Sequence, residues 1–149
     1  MNMMETYTIN MQVRWADLDP NFHMLHSRYY DLAAHCRVSF MYDKGLTDQF
    51  LKENNIGPIL FHEDCFFKRE ISFRDEVTVD LKLRKMTADG SRWTMVHDIW
   101  INKNTLAATT SCDGAWMDTN LRKLTVPPAF VLSIFEHAPK ADDFIIYTK

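Results

Sequence analysis

Apolar and polar side chains alternate without interruption over residues 6–15, TYTINMQVRW. The apolar and aromatic series consists of Tyr7, Ile9, Met11, Val13 and Trp15. Side chains two positions apart lie on the same face of an extended chain, so this segment is predicted to be a half-buried β-strand. The turn-forming residues that follow, from Asp17 to Asn21, are expected to end it.

From Ser27 onward the apolar spacing becomes that of an α-helix. Apolar residues recur three and four positions apart at Tyr29, Ala33, Cys36 and Phe40. The polar residues Asp31 and Arg37 are expected to lie outside this stripe. Ser27 is predicted to be the N-cap and Gly45 the C-terminal stop, because these residue types are favoured at those positions.

Two shorter helices are predicted further along the chain. Residues 47–54, TDQFLKEN, precede the breaking pair Gly57-Pro58, and residues 129–136 follow Pro127-Pro128. Proline is tolerated in the first turn of a helix, so the second pair is expected at a helix start.

The remaining periodic segments are predicted to be strands, at 64–73, 77–86, 91–102 and 105–117. Their joins, at 74–75, 88–90 and 103–104, are short, which predicts antiparallel hairpins, because parallel neighbours need long crossovers. One long helix and a five-stranded antiparallel sheet can bury a common core in two layers. The predicted class is therefore α+β, with the arrangement of a hot-dog fold, in which the sheet wraps around a long central helix.

Bulk properties narrow the class of protein. A length of 149 residues predicts one domain, spanning 1–149, and a net charge of −3 gives no reason to expect nucleic-acid binding. No apolar run is long enough for a membrane span, and the first residues lack the pattern of a secretory signal. Three cysteines without a paired motif favour reduced thiols, so a cytoplasmic protein is expected.

The densest cluster of reactive side chains lies in residues 15–32, WADLDPNFHMLHSRYYDL. Asp17, Asp19, His23 and His26 fall within ten residues, just before the long helix. A metal site is one interpretation, but His-x-x-His in a loop is a weak signal without a Cys or His cluster elsewhere, and no metal is expected. A second interpretation is structural, with the carboxylates capping the helix.

The third interpretation is acid–base or nucleophilic catalysis. A carboxylate just before a helix N-terminus lies beside unpaired backbone N–H groups, which can stabilise an oxyanion. The carboxylate could activate water or attack an acyl carbon, and a neighbouring histidine could orient the water or donate a proton. This chemistry suits hydrolysis of an activated acyl group, and it leaves Asp17 in a structural role.

The segment VRWADLDPNFHMLHSRYY resembles the signature of the 4-hydroxybenzoyl-CoA thioesterase-like branch of the hot-dog superfamily. This resemblance implies that Asp19 is the catalytic carboxylate and that His26, seven residues later, assists it. The run DLDPNFHM is also similar to the D-x-N-x-H segment of acyl-acyl-carrier-protein thioesterases, which implies Asp19, Asn21 and His23. The two alignments agree on Asp19, and His26 is the preferred histidine.

Two positions depart from the family pattern. Phe22 stands where the family has glycine, so the loop must avoid a positive φ or tolerate it at a cost. Its ring would lie near the site and reshape the acyl pocket. Trp15 replaces an aromatic hydroxyl of some relatives, and its indole N–H can donate a hydrogen bond but cannot serve as an acid. Together with Asn21 and Ser27, these are the predicted substrate-binding residues.

The resemblance implies an acyl-CoA or acyl-carrier-protein thioesterase that needs no cofactor, since CoA is part of the substrate. It also implies a homodimer or homotetramer with the groove between subunits, in which Glu63 and Asp64 either face the partner or are plain surface carboxylates. The basic residues available for an anionic ligand such as CoA are Lys68, Arg69, Arg84, Lys85 and Arg92.

Two other functions stay open. A hot-dog enoyl-CoA hydratase or dehydratase is disfavoured because its usual D-x-N-P-x-H motif puts the histidine five residues after the aspartate. A non-catalytic acyl-thioester-binding protein would use Asp19 only as a helix cap.

Overall fold

The computed structural model of the chain describes residues 5–148. Its helices are α1 (Arg28–Asp43), α2 (Asp48–Glu53) and α3 (Ala129–Glu136). Its strands are β1 (Thr8–Met11), β2 (Ile56–Phe67), β3 (Val77–Asp80), β4 (Lys82–Thr87), β5 (Arg92–Ile101), β6 (Thr105–Asp118), β7 (Lys123–Leu124) and β8 (Lys140–Tyr147). The predicted domain range, 1–149, includes residues 1–4 and 149, which lie outside the described residues, and the single domain stays a prediction.

All eight strands belong to one sheet. β5 pairs with β6 on one side and with both β3 and β4 on the other. β6 also pairs with β2 and β7, while β1 pairs with β3 and β8 with β4. Every pair except β4–β8 is antiparallel, so the predicted α+β class with an antiparallel sheet is confirmed.

Helix α1 buries the apolar stripe that its sequence predicts, made of Tyr29, Leu32, Ala33, Cys36 and Phe40. Truncation of a buried aromatic such as Phe40 typically costs about 3–5 kcal/mol of stability. After the helix, the Leu46 N–H donates to the Met41 carbonyl over 2.8 Å. Gly45 makes this C-terminal turn with φ +95°, so the predicted stop is confirmed.

One prediction about α1 is confirmed in its position and a second is wrong. Ser27 is the N-cap residue of α1, as predicted, but its backbone is already helical (φ −69°, ψ −21°) and its side chain makes no capping bond. An N-cap side chain normally reaches back from an extended backbone, which Ser27 lacks. Arg37 does not lie on the polar side; it is only 7% exposed, because its guanidinium bonds to the ring of His97 on β5.

The predicted first strand, 6–15, ends early, at Met11. The Asp17 carboxylate accepts the Arg14 N–H over 2.8 Å, and Trp15–Asp17 forms a 3₁₀ turn. Trp15 therefore leaves the alternating series and is 73% exposed.

The predicted strand 64–73 is shifted toward the N-terminus and becomes β2. Pro58 is accommodated because β2 lies at an edge of the sheet, where a missing backbone donor is tolerated. At the other end, the N–H groups of Lys68 and Arg69 both donate to the carbonyl of Ala107, over 2.8 and 2.9 Å, and the ladder stops. The predicted hairpin at 74–75 is also wrong, since β2 pairs with β6 and not with β3.

The predicted strand 77–86 is interrupted at Leu81. The Asp80 carboxylate accepts the Asp98 N–H over 2.8 Å, and the Asp80 carbonyl lies 2.8 Å from the His97 ring, so side chains replace regular ladder bonds. The strands β7 and β8 were not predicted, and with the interruption they raise the number of strands in the described part of the chain from five to eight. No helix among residues 5–148 has the length and apolar character needed to cross a membrane.

Candidate active site

Residues 18–24, in the connection from β1 to α1, form a miniature hairpin. Leu18 and Met24 form an antiparallel bridge, and the Asp19 N–H donates to the His23 carbonyl over 2.8 Å. The Phe22 N–H donates to the Asp19 carbonyl over 3.0 Å. The three loop residues are Pro20, Asn21 and Phe22. In loops of this length the third residue commonly adopts the left-handed conformation, which explains why glycine is favoured there.

Phe22 adopts that conformation, with φ +65°. The loop therefore tolerates the positive φ, which costs a residue with a Cβ atom about 1–2 kcal/mol. Its ring is 63% exposed and lies 6.4 Å from the ring of Trp15, centroid to centroid. The two aromatic side chains thus pair with each other at the surface.

The hairpin also fixes the carboxylate of Asp19. Its Oδ1 accepts the N–H of Asn21 over 2.8 Å and the N–H of His23 over 3.3 Å. Both bonds use the same oxygen, and Oδ2 has no hydrogen-bond donor within the described chain. A carboxylate held by the backbone through one oxygen keeps the other for accepting a proton or attacking a carbon.

Asp19 and His26 line one cleft of about 370 Å³. The other lining residues are Met24, Tyr29, Phe67, Lys68, Arg69 and Glu70. The rings of Tyr29 and Phe67 pack edge to face with centroids 4.9 Å apart. The cleft therefore lies where the hairpin, the first turn of α1 and the end of β2 meet.

The two histidines of the motif have different surroundings. His23 is absent from the cleft wall; its Nδ1 lies 3.5 Å from Oε2 of Glu70, and its backbone bridges to Ser72. His26 is exposed, and its ring makes no hydrogen bond to any residue in the range 5–148. The structure brings His26 together with Asp19 in the cleft, while the catalytic role of either histidine stays a prediction.

The start of α1 supplies unused backbone donors beside this cleft. The Arg28 N–H donates to the Leu25 carbonyl over 2.9 Å. The N–H groups of His26 and Ser27 find no acceptor in the described part of the chain. Such donors, together with the positive end of the helix dipole, suit a developing negative charge on oxygen.

Asp17 holds the loop before α1 through contacts with two arginines. Its carboxylate pairs with the guanidinium of Arg14 at 2.8 Å and lies 3.7 Å from that of Arg28. The hydrogen bonds from Arg14 are the main cause that holds the pKa of Asp17 below its usual range. These contacts account for the second carboxylate of the motif in structural terms.

Two of the basic residues noted in the sequence, Lys68 and Arg69, lie in the cleft. Their shared bond to the Ala107 carbonyl forms a bulge-like irregularity, a feature that commonly redirects side chains. Phe67 and Glu70 of the same segment were not predicted as site residues. No local signal identifies them, because pairing of β2 with β6 is what brings this segment to the motif.

The predicted substrate-binding residues Trp15, Asn21, Phe22 and Ser27 are not among the cleft-lining residues. Their contact with substrate stays a prediction. Across residues 5–148, no group of three His, Cys, Asp or Glu side chains is arranged to hold a metal ion.

Comparison with known families places this geometry in context. The sequence matches the family model of the thioesterase-like superfamily over residues 13–135. The matched range includes the hairpin, α1 and the strands from β2 to β7. No curated protein sequence matches the chain.

Several solved structures share the fold. A Staphylococcus aureus protein solved in complex with CoA has a TM-score of 0.85 at 19% identity, over 95% of this chain and 90% of that chain. A 1,4-dihydroxy-2-naphthoyl-CoA thioesterase from Synechocystis has a TM-score of 0.78 at 18% identity, over 88% and 96% of the chains. A Staphylococcus aureus DHNA-CoA thioesterase has a TM-score of 0.77 at 17% identity, over 89% and 87%. At these identities the likeness shows the fold alone, which is the predicted hot-dog fold.

Proposed function

The chain belongs to the thioesterase-like superfamily, and we propose that it hydrolyses an acyl-CoA or acyl-carrier thioester to the free acid and a thiol. The observation that carries this proposal is the cleft in which Asp19 and His26 lie beside the unpaired N–H groups at the start of α1. It combines a carboxylate, a proton-transfer group and oxyanion donors at one place.

In the proposed reaction, Asp19 takes a proton from water as the oxygen of that water attacks the acyl carbon. The carbonyl oxygen gains negative charge and is held by the N–H groups of His26 and Ser27. The carbon–sulfur bond then breaks, and the thiolate leaves with little need for protonation at neutral pH. Direct attack by Asp19 is the other route; it forms an anhydride that a second step hydrolyses with water.

His26 assists Asp19 in this proposal. Its ring is exposed at the same cleft, where it can orient the attacking water or deliver a proton to the leaving sulfur. His23 does not line the cleft; its ring lies near Glu70, and it is assigned a supporting role in holding the hairpin.

Lys68 and Arg69 are assigned to the phosphates of a CoA substrate. Both side chains are exposed at the rim of the cleft, in a molecule whose overall charge is negative. A local pair of cations is what an anionic carrier needs to approach such a surface.

No separate cofactor takes part in the proposed reaction. The proposed compartment is the cytoplasm, where the free cysteines Cys36, Cys65 and Cys112 would stay reduced.

The proposal includes a homodimer formed through β2. This strand has one open edge in the described chain, and it exposes large apolar side chains at Leu60, Phe61 and Phe66. An open edge of this kind is a template for pairing with another strand. Sedimentation of the wild type and of Phe66→Glu measures the association, and a wild type that sediments as a monomer would contradict it.

A thiol-release assay over short, medium, long and aromatic acyl-CoAs tests the hydrolysis. We expect Asp19→Asn to lose at least 100-fold in kcat/KM, since a positioned base typically contributes that much. His26→Ala is expected to lose more activity than His23→Ala. Asp142→Asn, at an exposed carboxylate of β8 far along the chain, is the matched control and should keep wild-type activity.

Three outcomes would contradict the proposal. Full activity in Asp19→Asn removes the assignment of the carboxylate. Hydration of an enoyl-CoA without thiol release favours the hydratase alternative, and acyl-CoA binding without turnover across the whole panel favours a binding protein.

A further inference from the structure

A buried guanidinium lies under α1, outside the cleft. Arg37 is 7% exposed, and its hydrogen bond within residues 5–148 goes to Nε2 of His97, over 3.2 Å. The other nitrogen of the ring, Nδ1, lies 2.8 Å from the carbonyl oxygen of Asp80. A carbonyl only accepts, so Nδ1 carries the hydrogen and Nε2 accepts from Arg37.

His97 leaves the charge of Arg37 uncompensated, because its ring is neutral. Burial is the main cause that lowers the pKa of His97 to about 3, and the nearby Arg37 lowers it further. The arginine ion pairs in the described chain involve Arg14, Arg28 and Arg84, and none involves Arg37. A buried cation is costly to leave without an anion or strong acceptor beside it.

Arg37 borders a cavity of about 160 Å³ whose other walls are apolar. The remaining lining residues are Ala34, Val38, Met41, Pro58, Leu60, Trp93, Met95 and Phe135. Trp93 is 4% exposed, and its indole N–H is buried without an acceptor in the described chain. The lining of this small apolar cavity therefore includes one cationic side chain, that of Arg37, and no acidic side chain.

The cavity lies along the same helix as the cleft. Tyr29 lines the cleft and Arg37 lines the cavity, eight residues later, which is about 12 Å along a helix axis. Strand β2 also extends from the cleft to the cavity, because Phe67 lines the cleft and Leu60 lines the cavity. Glu63 lies on the same face of β2 as Phe67, because strand residues alternate between faces, and within residues 5–148 it forms no ion pair with Arg37.

We propose that this cavity binds the far end of an acyl group that carries a terminal carboxylate, with Arg37 as the residue that recognises it. The inference rests on the proposed thioester hydrolysis at Asp19 and names the substrate class of that site. The apolar walls contact the methylene chain, and the carboxylate supplies the anion that Arg37 lacks.

Hydrolysis of paired substrates tests the specificity. At each chain length, one acyl-CoA ends in a methyl group and the other in a carboxylate. We expect wild type to prefer the carboxylate-ended series, and Arg37→Met to lower its kcat/KM about 10- to 100-fold, with little change for the methyl-ended series. Arg74→Met, at an exposed arginine, is the matched control and should keep the wild-type preference.

Binding of free acids separates this inference from the hydrolysis itself. Calorimetry with dicarboxylic and monocarboxylic acids of equal length needs no turnover and can use Asp19→Asn. If no thioester is cleaved but dicarboxylic acids bind more tightly through Arg37, the proposed hydrolysis fails and the carboxylate site stands. If thioesters are cleaved with no preference for a terminal carboxylate, or Arg37→Met keeps that preference, the inference is overturned.

A second variant covers the case in which Arg37→Met does not fold. Ala34, three residues before Arg37 on α1, also lines the cavity, so Ala34→Leu fills part of it and leaves the groups of the Arg37–His97 bond unchanged. It should remove binding of the dicarboxylic acids while the protein stays folded. Unchanged binding in Ala34→Leu would likewise overturn the inference.

Discussion

The Asp19 cleft and the Arg37 cavity both lie along α1, but each holds its charged group by a different means. In the cleft, the Asp19 carboxylate is held by two backbone N–H groups, and its second oxygen accepts no hydrogen bond from residues 5–148. Under the helix, Arg37 and His97 are buried and bonded to each other, so the position is fixed but the charge is not compensated. In the cleft, backbone hydrogen bonds of a loop position the Asp19 carboxylate. In the core, burial positions the His97 ring, and the same burial lowers its pKa.

The largest effect expected from this contrast is a pH dependence of stability that comes from His97. Its folded-state pKa, about 3, is below the unfolded value of 6.5. The stabilisation of the folded protein by the neutral His97 ring is therefore fully present above pH 6.5, and it is lost as pH falls toward 3. The slope within this window is about 1.4 kcal/mol of unfolding free energy per pH unit for one such group.

Urea denaturation at several pH values measures this slope. Between pH 6.5 and 4, His97→Gln should lower the slope of unfolding free energy against pH by about 1.4 kcal/mol per pH unit, because glutamine does not titrate. His35→Gln removes an exposed histidine of α1 and is the matched control. Equal slopes in the wild type and His97→Gln would mean that the ring is protonated without loss of the fold.

The next effect distinguishes the two aspartates of the motif. Asp17→Asn should destabilise the protein by about 2–3 kcal/mol, since it weakens the charge-assisted hydrogen bonds that this buried carboxylate accepts from Arg14 and removes its ion pair with Arg28. The pKa of Asp17 is lowered in the folded state, so this stability is present at neutral pH and lost as pH falls through the folded pKa.

Asp19→Asn is the informative comparison, because the Asn21 and His23 N–H groups can still donate to an amide oxygen. It should leave the urea midpoint near that of wild type while removing activity. Asp31→Asn, at an exposed partner of Arg28, controls for the loss of a surface ion pair. A destabilisation of Asp19→Asn equal to that of Asp17→Asn would make both carboxylates structural.

Local pattern was enough to predict the helices, the β5–β6 hairpin and the position of Asp19, because each depends on residues close in sequence. The limits of β2 were not predictable in this way, since Pro58 is acceptable only once β2 is known to be an edge strand. Local pattern likewise predicts Arg37 on the polar side of α1, because the burial of Arg37 depends on a partner that is distant in sequence. Its partner His97 lies 60 residues away, and no periodicity within the helix reveals it.

The smallest effect concerns the surface aromatic pair beside the cleft. Phe22→Gly should stabilise the protein by about 1 kcal/mol, because glycine adopts the observed φ of +65° without strain, partly offset by its greater entropy when unfolded. Phe22→Ala removes the same ring but keeps a Cβ atom in the left-handed conformation, so it should not gain this stability.

The same two variants decide whether Phe22 contacts substrate, as its place in the motif predicts. If it does, both variants raise KM for the preferred acyl-CoA to a similar extent, since both lack the ring. If Phe22 only pairs with Trp15 at the surface, as the 6.4 Å ring separation and the cleft lining suggest, KM stays at the wild-type value in both. A rise in KM for Phe22→Gly alone would instead point to a loosened hairpin that no longer fixes Asp19, because only glycine adds backbone freedom at this position.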